Sequence, residues 1–456
     1  MSANLKIGLI GAGSAVFSLN LVRDLCVTEG LHGSQVWFMD PDEQRLGIVH
    51  RLASRYAAEL GVDLAFERTT SREQALDGAD FVINTALVGG HDHQEAMRAL
   101  SERHGYYRGL TFSNFLQFGL MLDVARDMER LCPGAWLVQS GNPVFEGCTL
   151  MTRETGVKVV GLCHGHYGYR RIAQVLGLHV ERVTFEATGF NHWIWMTRFE
   201  YDGEDAYPLL DEWIETKAEE FWATHKPHYG DNQMSRAAIH QYRLYGLMPI
   251  GDTPRKGGWW YHLDLESKQR WYGHLGGFDS EIGWAQYLQD LERRLESLRR
   301  VAGAADARVT EAFPPTRSGE QVVPIMDALA NDEARVFQVN VPNYGQLGAL
   351  GAGPGAAGAG IPDDVVVEIP ALVNRSGIHG RVTRQLPRNL MLEAMLPRLW
   401  EAEMWIEAFV TGDRRLLLRL VLEDHRTRSL EQAEGLLDAL MAMPANAAVA
   451  ERFGWR

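Results

Sequence analysis

Cysteine is scarce: four residues, Cys26, Cys132, Cys148 and Cys163, in a chain of 456. So few in so long a chain cannot form the disulfide framework that stabilises small secreted folds. No window approaches 18 consecutive apolar residues, so no membrane span is expected. The N-terminus "MSANLKIGLIGAG" lacks a basic segment followed by an apolar stretch and cleavage site, and runs straight into a strand pattern. A surplus of positive charge is also missing. The formal net charge is −14, which argues against nucleic-acid or anionic-membrane partners because both require a positive field. What remains is a soluble cytoplasmic protein, 46% hydrophobic and 23% charged, large enough for two domains.

The first third alternates strands with amphipathic helices. "LKIGLIG", "QVWFMD", "GADFVINTAL", "AWLVQSG" and "VKVVGLCHG" read as strands, and "GLMLDVARDMERLCP" as a helix with apolar residues at i, i+3, i+4 and i+7. This implies βαβ units and a doubly wound parallel sheet of Rossmann type over residues 1–190. The remainder, 191–456, has many tryptophans and longer helices and reads as an α+β substrate and oligomerisation domain. "LPRNLMLEAMLPRLWEAEMWIEAFV" reads as one long helix. "GQLGALGAGPGAAGAGIPDD", beginning at residue 345, is too poor in side chains to pack a core and reads as a mobile loop or an insertion.

"IGLIGAGSAVF" places Gly11 and Gly13 between the first strand and a helix, where a pyrophosphate can approach the helix N-terminus. The third glycine of the usual fingerprint is absent, with Val16 in its place. Asp40 ends the second strand, where its carboxylate can accept from both ribose hydroxyls of NAD and would repel the 2′-phosphate of NADP. Ser14, Val16 and Phe17, which open the following helix beside this turn, are expected among the cofactor-binding residues. Asn84 and Thr85 end the "FVINTA" strand and are expected near the nicotinamide ribose. Farther on, "VVGLCHGHYGYRR" gathers Cys163, His164 and His166 at the end of an apolar run, and "FNHW" supplies His192. A thiolate with an imidazole suits a divalent transition metal whose remaining positions are open.

Taken together, "KIGLIGAGS", "GADFVINTALVGG", "SGNPV", "GLCHG", "TGFNHW" and "IPDDVVVEIPALV" resemble, in order, glycoside hydrolase family 4, the NAD-dependent and usually manganese-dependent glycosidases. "CHG" and "LYGLMPIGDTPRKGGWWYH" look most like its α-glucuronidase branch, and NAD-dependent sulfoquinovosidases are close in kind. The resemblance implies a lactate/malate-dehydrogenase-like fold, usually assembled as a homodimer or homotetramer. It also implies a cycle of C3 oxidation, C2 deprotonation, elimination of the C1 substituent, water addition and re-reduction. It assigns Cys163 and His192 to the metal, Asn142 and Asn191 to sugar hydroxyls, and His164 to the leaving oxygen; His166 receives no role. The base at C2 stays open among Asp252, Tyr245 and Tyr261, with Asp252 ranked first because it needs the least pKa tuning.

Leu87 stands where phosphosugar-cleaving branches carry an arginine, so 6-phosphoglycosides are disfavoured. Arg255 and Lys256, followed by Trp260, suit a sugar with an anionic C6 group, carboxylate or sulfonate. The expected activity is cleavage of an α-glucuronide or α-sulfoquinovoside, with an α-galacturonide or α-glucoside as alternatives within the family. The competing classes are a 2-hydroxy-acid-type NAD dehydrogenase and an NAD-sensing binding protein. The first lacks its arginine loop and Asp–His pair here.

Overall fold

A computed structural model describes residues 4–109, 113–304, 306–347 and 360–455, apart from the side chains of residues 15, 16 and 113. The glycine-rich stretch from 348 to 359 therefore lies outside the described residues. The strands are β1 (Lys6–Ile10), β2 (Gln35–Met39), β3 (Ala65–Thr69), β4 (Phe81–Asn84), β5 (Trp136–Gln139), β6 (Lys158–Gly161), β7 (Val183–Phe190), β8 (Trp193–Tyr201), β9 (Glu204–Asp205), β10 (Met248–Ile250), β11 (Arg335–Pro342), β12 (Val366–Asn374) and β13 (Gly377–Gly380). The first six pair in parallel in the order 3-2-1-4-5-6, that of dinucleotide-binding folds. Their near-continuous apolar runs suit strands covered on both faces: Ile7, Leu9, Val82, Ile83, Leu137 and Val138 are fully buried.

The helix Glu43–Leu60 shows how local sequence sets this layer. Asp42 caps its start by accepting from the Arg45 amide, and Gly61, at φ 66°, ends it in the left-handed region. Its buried stripe is Leu46, Val49, Leu52, Ala53, Tyr56 and Ala57. Each large apolar side chain so buried contributes about 1.5–3 kcal/mol, and Leu52→Ala, at a site 1% exposed, would open a cavity in the layer.

The expected boundary after residue 190 falls in a β-hairpin turn. β7 ends at Phe190 and β8 begins at Trp193, so Asn191 and His192 form the connection. The two halves also share one sheet, because β11 and β12 return to lie between β6 and β7, antiparallel to their neighbours. A return of this kind leaves no mark in local composition. The helix expected at "LPRNLMLEAMLPRLW" is interrupted by a π-turn at Met391–Met395 before Leu396–Thr411. Pro397 has no N–H to continue the i−4 ladder, which accounts for the wider turn. No described helix is long and apolar enough to cross a membrane.

Candidate active site

The turn after β1 is tight because three segments meet there. Gly11 has φ 87° and donates its N–H to the Met39 carbonyl at 2.9 Å, and a Cβ on it would lie 2.6 Å from the Ala86 backbone. Gly13 donates to Asp40 Oδ2 at 2.8 Å, and a Cβ there would lie 2.6 Å from the same oxygen. Both glycines are thus required by close approach, and Asp40 sits directly against the turn. Ser14 is exposed just before the helix Ala15–Cys26. Phe17 lines the neighbouring cavity, and the Val16 side chain lies outside the described residues. Asn84 departs from its expected role. It is fully buried, its amide donates to Gln139 Oε1 at 3.0 Å, and its oxygen accepts from the Ala86 amide. It braces the turn from inside the protein rather than facing a cavity. Thr85 borders the main cavity, its hydroxyl donating to the carbonyls of Ile10 and Gly11.

Three strand ends converge farther along the sheet. β6 delivers Cys163 and His164, the β7–β8 turn delivers Asn191 and His192, and β10 delivers Asp252. The first and third segments touch backbone to backbone: a Cβ on Gly251 would lie 2.3 Å from the Gly165 Cα. His192 adopts φ 61° and holds Nε2 3.3 Å from Asp252 Oδ2. Burial lowers the His192 pKa to about 4, so its imidazole is neutral. Burial, with Glu368 and Asp252 nearby, raises the Cys163 thiol. His164 lies 3.0 Å from Glu320 Oε1, and that contact raises its pKa. His166 turns inward and is 4% exposed. Cys163, His164, His192, Asp252 and Glu320 line a cavity of about 540 Å³.

At Ser140, Asn142 and His192 this cavity meets a larger one of about 840 Å³. The larger cavity contains Tyr245, Lys256, Trp260 and Tyr261, and Leu87 borders it. Of the base candidates, the two tyrosines shift the wrong way. Burial raises Tyr245, and it pushes Tyr261, whose hydroxyl is bonded to His240 Nδ1 at 2.6 Å, up to about 12. Asp252 remains a carboxylate: despite its burial, Arg255 and His192 hold its pKa well below the usual range.

Arg255 departs from its expected role as a free anion-binding cation. Its Nε and Nη2 grip Asp252 at 2.8 and 2.9 Å, and its Nη1 holds Asp279 at 2.7 Å. Two carboxylates leave it no positive charge to offer a substrate. Lys256 has no hydrogen-bond or ion-pair partner among the described residues.

Glu368 is absent from the residues singled out above. Gly161, Asn340, Glu368 and Gly189 form one row across β6, β11, β12 and β7, each in register with the next. Glu368 is 1% exposed, accepts from Asn191 Nδ2 at 3.1 Å, and burial pushes its pKa up to about 7. Asn191, 3% exposed, therefore spends its amide on this carboxyl while still lining the main cavity. The signal was a lone acid interrupting "VVVEIPALV". Glu320 and Asp279 had no such signal, because both lie in ordinary polar loops.

Two adjoining profiles cover nearly the whole chain: family 4 glycosyl hydrolase over residues 6–178 and the family 4 glycosyl hydrolase C-terminal domain over 187–427. An alpha-glucosidase of Erwinia rhapontici is 25% identical, with 96% of this chain and 97% of that protein covered. An alpha-galacturonidase of Thermoanaerobacterium saccharolyticum is 24% identical, with 96% and 95% covered. A 6-phospho-alpha-glucosidase from gut microorganisms, solved in complex with NAD and Mn2+, superposes with a TM-score of 0.75 at 16% identity, covering 98% of this chain and 99% of that one. The chain belongs to the family 4 glycosyl hydrolases.

Proposed function

We propose that the protein is an NAD-dependent α-glycosidase acting on a sugar with an anionic C6 group, an α-glucuronide or α-sulfoquinovoside. The observation that carries this reading is the meeting of two cavities at Asn142 and His192, one holding Cys163, His164 and Asp252, the other the uncompensated Lys256. The residues fit NAD: Gly11 and Gly13 allow a tight βα turn packed against Ala86 and Asp40, where any Cβ would clash, and Asp40 ends the second strand beside that turn. Bound there, NAD supplies a reversible hydride acceptor for C3 of the sugar. Cys163 and His192 fit two positions of a manganese ion, a neutral imidazole and a thiol whose ionisation awaits a cation. Bound by these two side chains, such an ion would supply Lewis acidity to the sugar hydroxyls.

The chain's own groups supply the proton transfers. Asp252 is the base for the C2 proton. A carboxylate gripped by a guanidinium fork is a weak base, so this step requires the acidity that a C3 ketone gives to C2. His164, favoured in its protonated form by Glu320, donates to the departing O1 oxygen. Asn142, exposed at the junction, and Trp260 border the space for the ring. Leu87 offers nothing to a 6-phosphate. The alpha-galacturonidase among the relatives acts on a C6 carboxylate, which supports the anionic class.

A panel of p-nitrophenyl α-glucuronide, α-galacturonide, α-sulfoquinovoside and α-glucoside, each with and without NAD and Mn²⁺, tests the proposal. Cleavage of an acidic member that depends on NAD is expected. Activity that survives complete removal of NAD sinks it.

A further inference from the structure

We infer that Arg98 and Lys256 together bind the C6 oxyanion of the substrate, at the mouth of a cationic annex to the main cavity. The inference rests on the glycosidase reading above and assigns its specificity to particular side chains. Arg98 lies on the helix Gly90–Arg103, in a stretch, "HDHQEAMRALSER", that reads as an ordinary solvated helix. Yet it lines both the main cavity and a neighbouring cavity of about 420 Å³, as does Lys256. The carboxylates that also line the smaller cavity, Asp279, Glu401 and Asp424, are held by Arg255, Arg398 and Arg426.

Neither side chain has a hydrogen-bond or ion-pair partner among the described residues. The Arg98 guanidinium lies 4.1 Å over the ring of Trp284, and its Nη1 is shielded from solvent with nothing to donate to. A buried donor left unbonded is costly, so an acceptor entering this space relieves a standing penalty. The other cations nearby are engaged. Arg255 holds Asp252 and Asp279, Lys268 donates to the Asp279 carbonyl at 2.8 Å, Arg398 binds Glu146 and Glu401, and Arg426 binds Asp424. Arg108, deeper in the annex, has a second buried nitrogen without a partner, and its nearest carboxylates, Glu95 and Glu102, stand at 3.8 Å. Burial pulls the pKa of Arg98 down although Asp279 and Glu95 nearby oppose it, while Lys256 is exposed to the cavities.

The occupant is a substituent of the sugar and not the cofactor's phosphate, since Gly11, Gly13 and Asp40 border neither cavity. Arg98 and Lys256 stand on the wall common to both spaces. An oxyanion one or two bonds from the ring therefore reaches them while the ring stays beside Asn142 and His192. A planar fork and a point charge accept either a carboxylate or a sulfonate.

Calorimetry on the NAD-loaded enzyme with glucuronate, sulfoquinovose and glucose tests the assignment apart from turnover. The wild type is expected to bind one of the acids at least about 10-fold more tightly than glucose. Arg98→Gln and Lys256→Gln should each bring that ratio close to one. In cleavage, the ratio of kcat/KM for the acidic over the neutral glycoside should fall by about 30-fold or more. Comparing the two acids separates carboxylate from sulfonate. Lys256→Gln alters a side chain that only faces the cavities, so it decides the matter even if Arg98→Gln fails to fold. Unchanged ratios in the variants, or a wild type that binds glucose as tightly as both acids, overturn the assignment. A wild type that prefers an acid yet cleaves no glycoside overturns the glycosidase reading instead.

Discussion

Arg255 holds Asp252 and Asp279 at the same time, through Nε and Nη2 on one side and Nη1 on the other, with only 14% of its side chain exposed. The fork fixes the orientation of the proposed base and ties the segment carrying it to the loop before the long helix Glu281–Gly303. Arg255→Met leaves two carboxylates without their cation. It is expected to cost about 3 kcal/mol in urea unfolding and to lower kcat as well. A loss in kcat with no loss in stability would show that the fork serves only the chemistry.

Asp252→Asn keeps the shape of the side chain and removes its basicity. The expected result is a fall in kcat of about 10²–10⁴ with NAD affinity retained. A fall of less than tenfold would move the role of base to another group.

The parallel sheet was legible because its strands are buried on both faces and read as uninterrupted apolar runs. The tight turn at Gly11 and Gly13 was legible because a close approach to Ala86 and Asp40 leaves no room for a Cβ, whatever the rest of the chain does. Cys163, His192 and Asp252 lie close to strand ends and could be placed together through the family motifs. The fate of Arg255 could not be read, since its charge is cancelled by Asp279, 24 residues away across a loop. Asn84 looked like a ligand-facing amide because sequence does not show that Gln139 occupies its donor. Glu368 reached the site through the return of β12 into the first sheet, a long-range pairing that periodicity does not report.

Asp279 should govern the acid limb of stability. Arg255, Lys256 and Lys268 hold its pKa below the usual carboxylate value of about 3.9 despite burial. A depressed carboxylate stabilises the fold above its unfolded pKa, and that contribution is lost as pH falls below it. The difference in Tm between wild type and Asp279→Asn is therefore expected to narrow between pH 5 and pH 3, by roughly the interval over which an unfolded carboxylate protonates. A difference independent of pH would contradict this.

His164→Gln should discriminate by leaving group. Departure of p-nitrophenolate needs little protonation, whereas an alkyl alcohol needs a donor. The variant is expected to lose about 10²-fold on an alkyl glycoside and much less on the p-nitrophenyl glycoside. Equal losses would remove His164 from the leaving oxygen.

Gly13→Ala puts a methyl group 2.6 Å from Asp40 Oδ2. NAD binding, followed by fluorescence titration, should weaken by about tenfold or more, with the unliganded fold retained.

The central claim is that C–O cleavage proceeds through transient oxidation at C3 and loss of the C2 proton. Hydrolysis of the preferred p-nitrophenyl glycoside in D2O, followed by NMR of the released sugar, tests it most directly. The account predicts deuterium at C2 of the product, with absorbance at 340 nm returning to its starting value after turnover. A product that retains its full C2 protium would contradict it.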